Sequence, residues 1–153
     1  MKRKQAYSKK EQRVLNTFVK LVRGTETMLY RTHLPMMEKG MTLSQFQVLE
    51  VLYHLGPLFQ RDIAQKILKT TGNLTMVINN LSKRNLVKKV QDETDRRYQI
   101  ISLTAKGKKL MEEFFPIHLK ALLADFEVLT AEEQDQLAYL CKKIGLGNAT
   151  GNK

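Results

Sequence analysis

Between Thr70 and Lys83 the apolar residues Leu74, Val77, Ile78 and Leu81 stand at i, i+3, i+4 and i+7, which gathers them on one stripe of a short helix. The opposite face carries Gly72, Met76, Asn79 and Lys83, flanked by Asn73, Thr75 and Asn80, and it contains no acid. Upstream, Leu15, Phe18, Val19, Val22 and Leu29 recur at helical spacing and predict a long helix from about residue 11 to residue 34, closed by Pro35. Residues 1–10 are basic and nearly free of apolar side chains, the pattern of a frayed tail or the loose start of that helix. Thr42-Leu-Ser-Gln45 has the form of a capping box, and Leu43, Phe46, Leu49 and Leu52 mark a second helix that stops at Gly56-Pro57. A third, short helix is predicted over residues 60–68, with Ile63, Ala64, Ile67 and Leu68 inward.

Downstream the period changes. Residues 86–90 and 98–103 read as strands around the charged run Gln91-Asp-Glu-Thr-Asp-Arg-Arg97, which predicts a β-hairpin. Thr104 can cap a helix running through Leu110, Met111, Phe114, Phe115, Ile117, Leu119, Leu122, Leu123 and Phe126, with a kink expected at Pro116. That helix is too apolar to leave one face in water, so a partner should cover it. Thr130-Ala-Glu-Glu133 is another capping box, opening a last helix with Leu137, Leu140, Cys141 and Ile144 that is expected to end at Gly145, before a flexible tail over residues 147–153.

Two short helices joined by a couple of residues, the second acid-free on its outer face, form the helix-turn-helix arrangement, and a charged hairpin directly after it is a wing. The fold class is therefore mainly α with a small β-hairpin wing. Amide and hydroxyl groups with no carboxylate to repel phosphate suit a helix in the major groove, where Asn reaches adenine and the Thr methyl touches thymine. An ordinary solvated face is the other reading of the same residues, although such faces are usually rich in Glu and Lys. At the wing tip Arg96 and Arg97 are long enough to enter a minor groove, with pairing to Asp92, Glu93 or Asp95 as the alternative.

Charge sharpens this picture. The formal net charge is +11, with 10 basic and 4 acidic residues in 1–58, 9 and 4 in 59–103, and 7 and 7 in 104–153, so the excess surrounds the helix-turn-helix and points to a polyanionic partner. The single cysteine, Cys141, excludes an internal disulfide framework and fits a reducing, cytoplasmic setting. Neither a membrane-length apolar run nor a signal segment is read in the chain.

Leu43-x-x-Phe46-x-Val48-Leu49, Ile63-Ala64, Gly72-Asn-Leu-Thr75, Leu81-x-Lys-Arg-x-Leu86-Val87, Asp95-Arg-Arg97 and Leu103-Thr-x-x-Gly107, in this order and spacing from about Thr42 to Leu110, resemble the MarR family of bacterial transcriptional regulators. The resemblance implies a homodimeric winged helix-turn-helix repressor that binds a near-palindromic operator in double-stranded DNA and is released by a small molecule or an oxidant. It further implies a dimerisation helix within 1–35, a DNA-binding domain over 36–103 and dimerisation helices over 104–153. Carried over by position, Thr70, Thr71, Asn73, Thr75, Met76 and Asn79 would face the major groove, with Gly72 and Lys83 on the same helix. Arg97 would face the minor groove, and Arg96 adds a further cation. Relatives that sense oxidants through a cysteine often place it near the start of the first long helix, where residues 1–35 have none. Similar regulators bind phenolic or other aromatic compounds between the dimer helices and the DNA lobe, and His33, Met36, Met37, Phe46 and Tyr53 would suit such a crevice. The effector itself is not readable.

No metal-protease His-Glu-x-x-His, paired Cys-x-x-Cys, phosphate-binding glycine loop or Gly-x-Ser-x-Gly is present, so no enzyme activity and no cofactor are expected. His33, His54 and His118 lie far apart and suggest packing or surface roles, with Pro116-x-His118 also occurring in some family relatives. Cys141, on the apolar side of its helix, is expected to be a buried, inert thiol. The rival function is a winged-helix protein-interaction module without sequence-specific DNA binding, for which the outer face of residues 72–83 would have drifted to acidic or apolar side chains.

Overall fold

Helix α1 (Lys9–Glu38) begins where Ser8 and Glu11 exchange hydrogen bonds: the Glu11 N–H donates to Ser8 Oγ at 3.3 Å and the Ser8 N–H to Glu11 Oε2 at 2.8 Å. This is the same capping box as Thr42-x-x-Gln45, so of the two expectations for residues 1–10, a frayed tail or the loose start of the helix, residues 8–10 follow the second. The computed structural model describes residues 7–67, 71–91 and 98–147. Pro35 does not end α1, contrary to the sequence expectation; the helix continues to Glu38 and stops at Lys39 and Gly40. There the Gly40 N–H bonds Met37 O at 2.8 Å and the Met41 N–H bonds Met36 O at 3.1 Å, with Gly40 at φ +67°, a Schellman motif. Met36 and Met41 are both buried, so the last turn is anchored in the core, which offsets the hydrogen bond that proline cannot make.

Helix α2 (Leu43–Leu55) starts with the predicted box, Gln45 N–H to Thr42 Oγ1 at 3.2 Å and Thr42 N–H to Gln45 Oε1 at 3.0 Å, and ends at Gly56 with φ +76°. A two-residue strand that the sequence pattern did not reveal, β1 (Leu58–Phe59), leads into α3 (Gln60–Lys66) and then α4 (Thr71–Lys83). The hairpin follows as β2 (Val87–Gln91) and β3 (Gln99–Leu103), antiparallel with Lys89 opposite Ile101, and β1 adds to its other side in the order β1-β3-β2. Helices α5 (Ala105–Phe126) and α6 (Ala131–Leu146) complete the chain. Helix α5 runs through Pro116, and α6 reaches Gly147 at φ +58° instead of ending at Gly145.

The core lies within the helix-turn-helix and sheet lobe. Phe46, Leu49, Ile63, Leu74, Ile78, Leu81, Ile101 and Met111 are fully buried, so α2, α3, α4, the sheet and the first half of α5 share one apolar interior. Three of the four stripe residues of α4, Leu74, Ile78 and Leu81, are in it, and Val77 packs at its edge. By contrast, residues 9–20 of α1 and all of α6 are exposed. Cys141 is exposed with them, which corrects the expectation of a buried thiol: the apolar side of a helix is buried only where another element packs on it, and none of the described residues covers this one.

Where α1, α2 and α5 meet, two histidines are buried. His118 donates Nδ1–H to the Thr32 carbonyl at 3.2 Å, and His33 donates Nδ1–H to the Leu29 carbonyl at 2.8 Å. The Phe46 ring packs edge-on against both, with centroid distances of 4.8 Å to His118 and 5.1 Å to His33. On the other side of His118, Glu50 Oε1 stands 3.8 Å from Nε2. This supplies the physical reason for His118 in the Pro116-x-His118 pair: it ties α5 to α1 through a backbone carbonyl. Burial pushes His33 below the usual histidine range, the neighbouring His118 adds to this, and the Leu29 carbonyl and Glu50 act against it.

A histidine held neutral in the fold titrates near its ordinary value of ~6.5 in the unfolded chain, so the unfolded state binds more protons below that pH. Its contribution is therefore intact above ~6.5 and is lost as the pH falls through that value toward the lower folded one. The urea midpoint should drop between about pH 7.5 and about pH 5.5, and His33→Phe should remove part of the drop. A wild-type midpoint that stays flat across this interval would show that His33 accepts a proton without cost.

Candidate nucleic-acid interface

Helix α4 is held by three of its sides, which leaves one face to solvent. Its C-terminus is closed by a second Schellman motif, Leu86 N–H to Leu81 O at 3.0 Å and Asn85 N–H to Ser82 O at 2.9 Å, with Asn85 in the left-handed region at φ +57°. Lys106 Nζ donates to the Arg84 carbonyl at 3.1 Å, and the Arg84 guanidinium donates to the Gly40 and Lys39 carbonyls at 2.9 and 3.3 Å. The end of α4 is thus fastened both to α5 and to the turn between α1 and α2. From α3, Gln60 Nε2 donates to Thr75 Oγ1 at 2.6 Å, which joins the two helices of the helix-turn-helix.

On the free side, Gly72, Asn73, Thr75, Met76, Asn79 and Lys83 are all exposed and share α4, with Met76 60% exposed despite its apolar side chain. Thr71 is the first residue of the helix. Thr70, Arg96 and Arg97 lie outside the described residues. Beside this face runs β2, whose Lys88 and Lys89 are exposed, and Lys89 Nζ donates to Asn79 Oδ1. At the other edge of the sheet Tyr98 packs on Phe59, with ring centroids 6.0 Å apart, and under the Arg61 guanidinium at 5.7 Å, which braces the root of the wing.

Gln60 and Lys89 touch residues of this face and were not singled out by sequence reasoning. Lys89 belonged to a strand recognised as such, but its contact with Asn79 spans ten positions and depends on how β2 lies against α4. Of the residues expected at a crevice, Met36, Phe46 and His33 are buried in the interior of the single chain and Met37 is exposed, while Tyr53 is half-buried in a ring cluster with His54 and Phe115, whose centroids are 4.5 Å apart. An open cleft of ≈ 470 Å³ lies elsewhere, between the middle of α1, the end of α5 and α6, lined by Leu21, Met28, Phe126, Leu137 and Cys141 among others.

A helix-turn-helix with a basic strand against its second helix defines a winged-helix DNA-binding protein. Comparison with known proteins carries this to a family. The model of the MarR family matches residues 39–97. The chain is 37% identical over 109 residues to the uncharacterized HTH-type transcriptional regulator YkoM of Bacillus subtilis (strain 168), covering 71% of each. It is 30% identical over 132 residues to the HTH-type transcriptional regulator MhqR of the same organism, covering 86% of this chain and 91% of the relative. Among solved structures, Bordetella bronchiseptica BpsR, whose DNA binding is regulated by 6-hydroxynicotinic acid, superposes with a TM-score of 0.75 at 25% identity, over 85% of this chain and 98% of the other. The protein belongs to the MarR family and is a DNA-binding transcriptional regulator, in a family of regulators and not of enzymes. Among the described residues no helix is long and apolar enough to cross a membrane.

Proposed function

We propose that the protein is a cytoplasmic homodimeric repressor that binds a near-palindromic operator and is released by a small aromatic ligand. The observation that carries the DNA half of this reading is the exposed, acid-free face of α4 with basic β2 beside it. Thr70, Thr71, Gly72, Asn73, Thr75, Met76, Asn79 and Lys83 enter the major groove, and Arg96 and Arg97 reach a minor groove, within a DNA lobe spanning 36–103. The protein-interaction alternative predicts acidic or apolar drift on that face, which carries no acid and one apolar residue, Met76.

The dimer half rests on exposed apolar surface in the flanking segments. Val14 and Phe18 on α1, Leu123 on α5 and Ile144 and Leu146 on α6 are each 60–65% exposed in the single chain, large apolar side chains left bare on all three flanking helices. A second copy covers them and sets the two recognition helices about 34 Å apart, one helical turn of DNA. Release by an aromatic ligand is supported by the BpsR likeness and by the ring cluster of Tyr53, His54 and Phe115, in which His54 is exposed and the other two are half-buried. Release by an oxidant is less favoured, since Cys141 lies on the helix that the dimer would cover.

Selection of bound duplexes from a random library, followed by affinity against salt, tests the reading. A palindrome should emerge, with log K falling by ~0.9 per neutralised phosphate per decade of salt. Arg97→Ala should weaken all duplexes alike and lower that slope by about 1, while Asn79→Ala should relax preference at one half-site position by ~1–3 kcal/mol. A folded dimer that enriches no sequence would transfer the function to protein contacts.

A further inference from the structure

Asn79 does not stand on the recognition face as an isolated amide. Its Oδ1 accepts a hydrogen bond from Lys89 Nζ, both residues being exposed. The contact is built into the fold. Along β2 side chains alternate, so Lys89 shares a face with Val87, which is 2% exposed and turned into the core beside α4. The ladder that sets Lys89 opposite Ile101, itself fully buried, fixes how far along the strand the ammonium sits. At the other end, Leu81 and Ile78 in the core fix the rotation of α4 and hence the place of Asn79.

The chemistry of that pair differs from that of asparagine alone. Asparagine recognises adenine with both ends of its amide, Oδ1 accepting from the N6 amino group and Nδ2 donating to N7. With Lys89 on Oδ1, one of its two lone pairs is taken and a positive charge stands beside the other, where it repels an approaching amino donor such as adenine N6. What the pair presents outward is dominated by donors, the two N–H bonds of Asn79 Nδ2 and the remaining N–H bonds of Lys89, against the one lone pair left on Oδ1. In the major groove the base edge with two acceptors and no donor is that of guanine, through O6 and N7.

We propose that Lys89 is a specificity-determining residue that holds the oxygen of Asn79 and turns an adenine reader into a donor pair selecting guanine. This rests on the DNA-binding reading above and deepens it. The alternative role for Lys89 is an ordinary phosphate contact, which would weaken binding without changing the preferred base.

Duplex selection with the full-length wild type, Lys89→Met, Lys89→Arg and Asn79→Ala separates these outcomes. Lys89 is exposed, so the variants should keep the wild-type circular dichroism and melting point, which is checked first. The wild type should enrich guanine at the half-site position that Asn79→Ala flattens. Lys89→Met should shift that position toward adenine, changing the guanine-to-adenine affinity ratio about tenfold while leaving the other positions intact, and Lys89→Arg should retain guanine. The proposal is overturned if Lys89→Met selects the wild-type sequence and only loses affinity with a shallower salt slope. It is equally overturned if the wild type already prefers adenine where Asn79 reads. A wild type that enriches no sequence at all overturns it together with the DNA-binding reading, and that result is distinct from the first two because no preferred sequence exists.

Discussion

Phe46→Ala is expected to lower the unfolding free energy by about 3–5 kcal/mol, the range for removing a large ring from a closed core. Phe46 is 0% exposed and its ring is the common neighbour of His33 and His118, so the deletion leaves a void bordered by two imidazoles. Unlike a purely apolar cavity, this one offers polar partners to water, and hydration would ease the protonation of His33. Two readouts follow. The urea midpoint at neutral pH should fall steeply with an unchanged m value, and the additional loss between about pH 7.5 and about pH 5.5 should become smaller than in the wild type. Phe46→Leu, which keeps most of the volume, should cost clearly less. A loss below ~1 kcal/mol for the alanine variant would mean that α1 and α5 close over the gap.

Gly107→Ala is expected to be the most damaging single-methyl change, with a loss of ~3 kcal/mol, at the upper end for overpacking. A Cβ on Gly107 would lie 2.0 Å from the Leu86 carbonyl oxygen, a backbone atom that cannot turn aside as a side chain could. That carbonyl already accepts the Thr104 N–H at 3.1 Å, while Thr104 Oγ1 donates to the Asn85 carbonyl at 2.7 Å and accepts from the Gly107 N–H at 3.0 Å. Making room for a methyl therefore moves the first turn of α5 away from the link between α4 and β2. Because that link sets how the wing lies against the recognition helix, affinity for the selected operator should fall together with the urea midpoint. A variant with wild-type midpoint and wild-type affinity would show that α5 slides freely on the wing root. The same contact explains why glycine stands at the end of Leu103-Thr-x-x-Gly107, a motif that the sequence alone supplied without a reason.

The elements that sequence patterns revealed are those whose causes are local. Thr42, Thr104 and Thr130 each bond a backbone N–H three residues on, and the helices begin where those residues predict. Ser8 does the same through Glu11, in a pattern equally present but masked by the surrounding lysines. The α4 stripe was legible because Leu74, Ile78 and Leu81 repeat at the helical period, and its outer face because that period assigns every other residue a direction.

Failures of the pattern occurred where distant contacts outweighed a local preference. Pro35 disfavours helix on both counts of ring and missing donor, yet Met36 and Met41 in the core and the Gly40 turn carry α1 three residues past it. Strand β1 is only two residues long and exists because β3 offers an edge, which nothing within residues 58–59 announces. Cys141 was placed on the apolar side of its helix, but only packing decides whether such a side is covered.

From the sequence alone came the helices, the acid-free recognition face, the charged wing hairpin and the family, because periodicity, caps and charge are properties of neighbours along the chain. The tertiary structure decided that Gln60 holds Thr75, that Lys89 holds Asn79, and that His33 and His118 meet around Phe46. These pairs join residues from 10 to 85 positions apart, and a contact between them exists only after the core has fixed the rotation of each helix and the register of each strand.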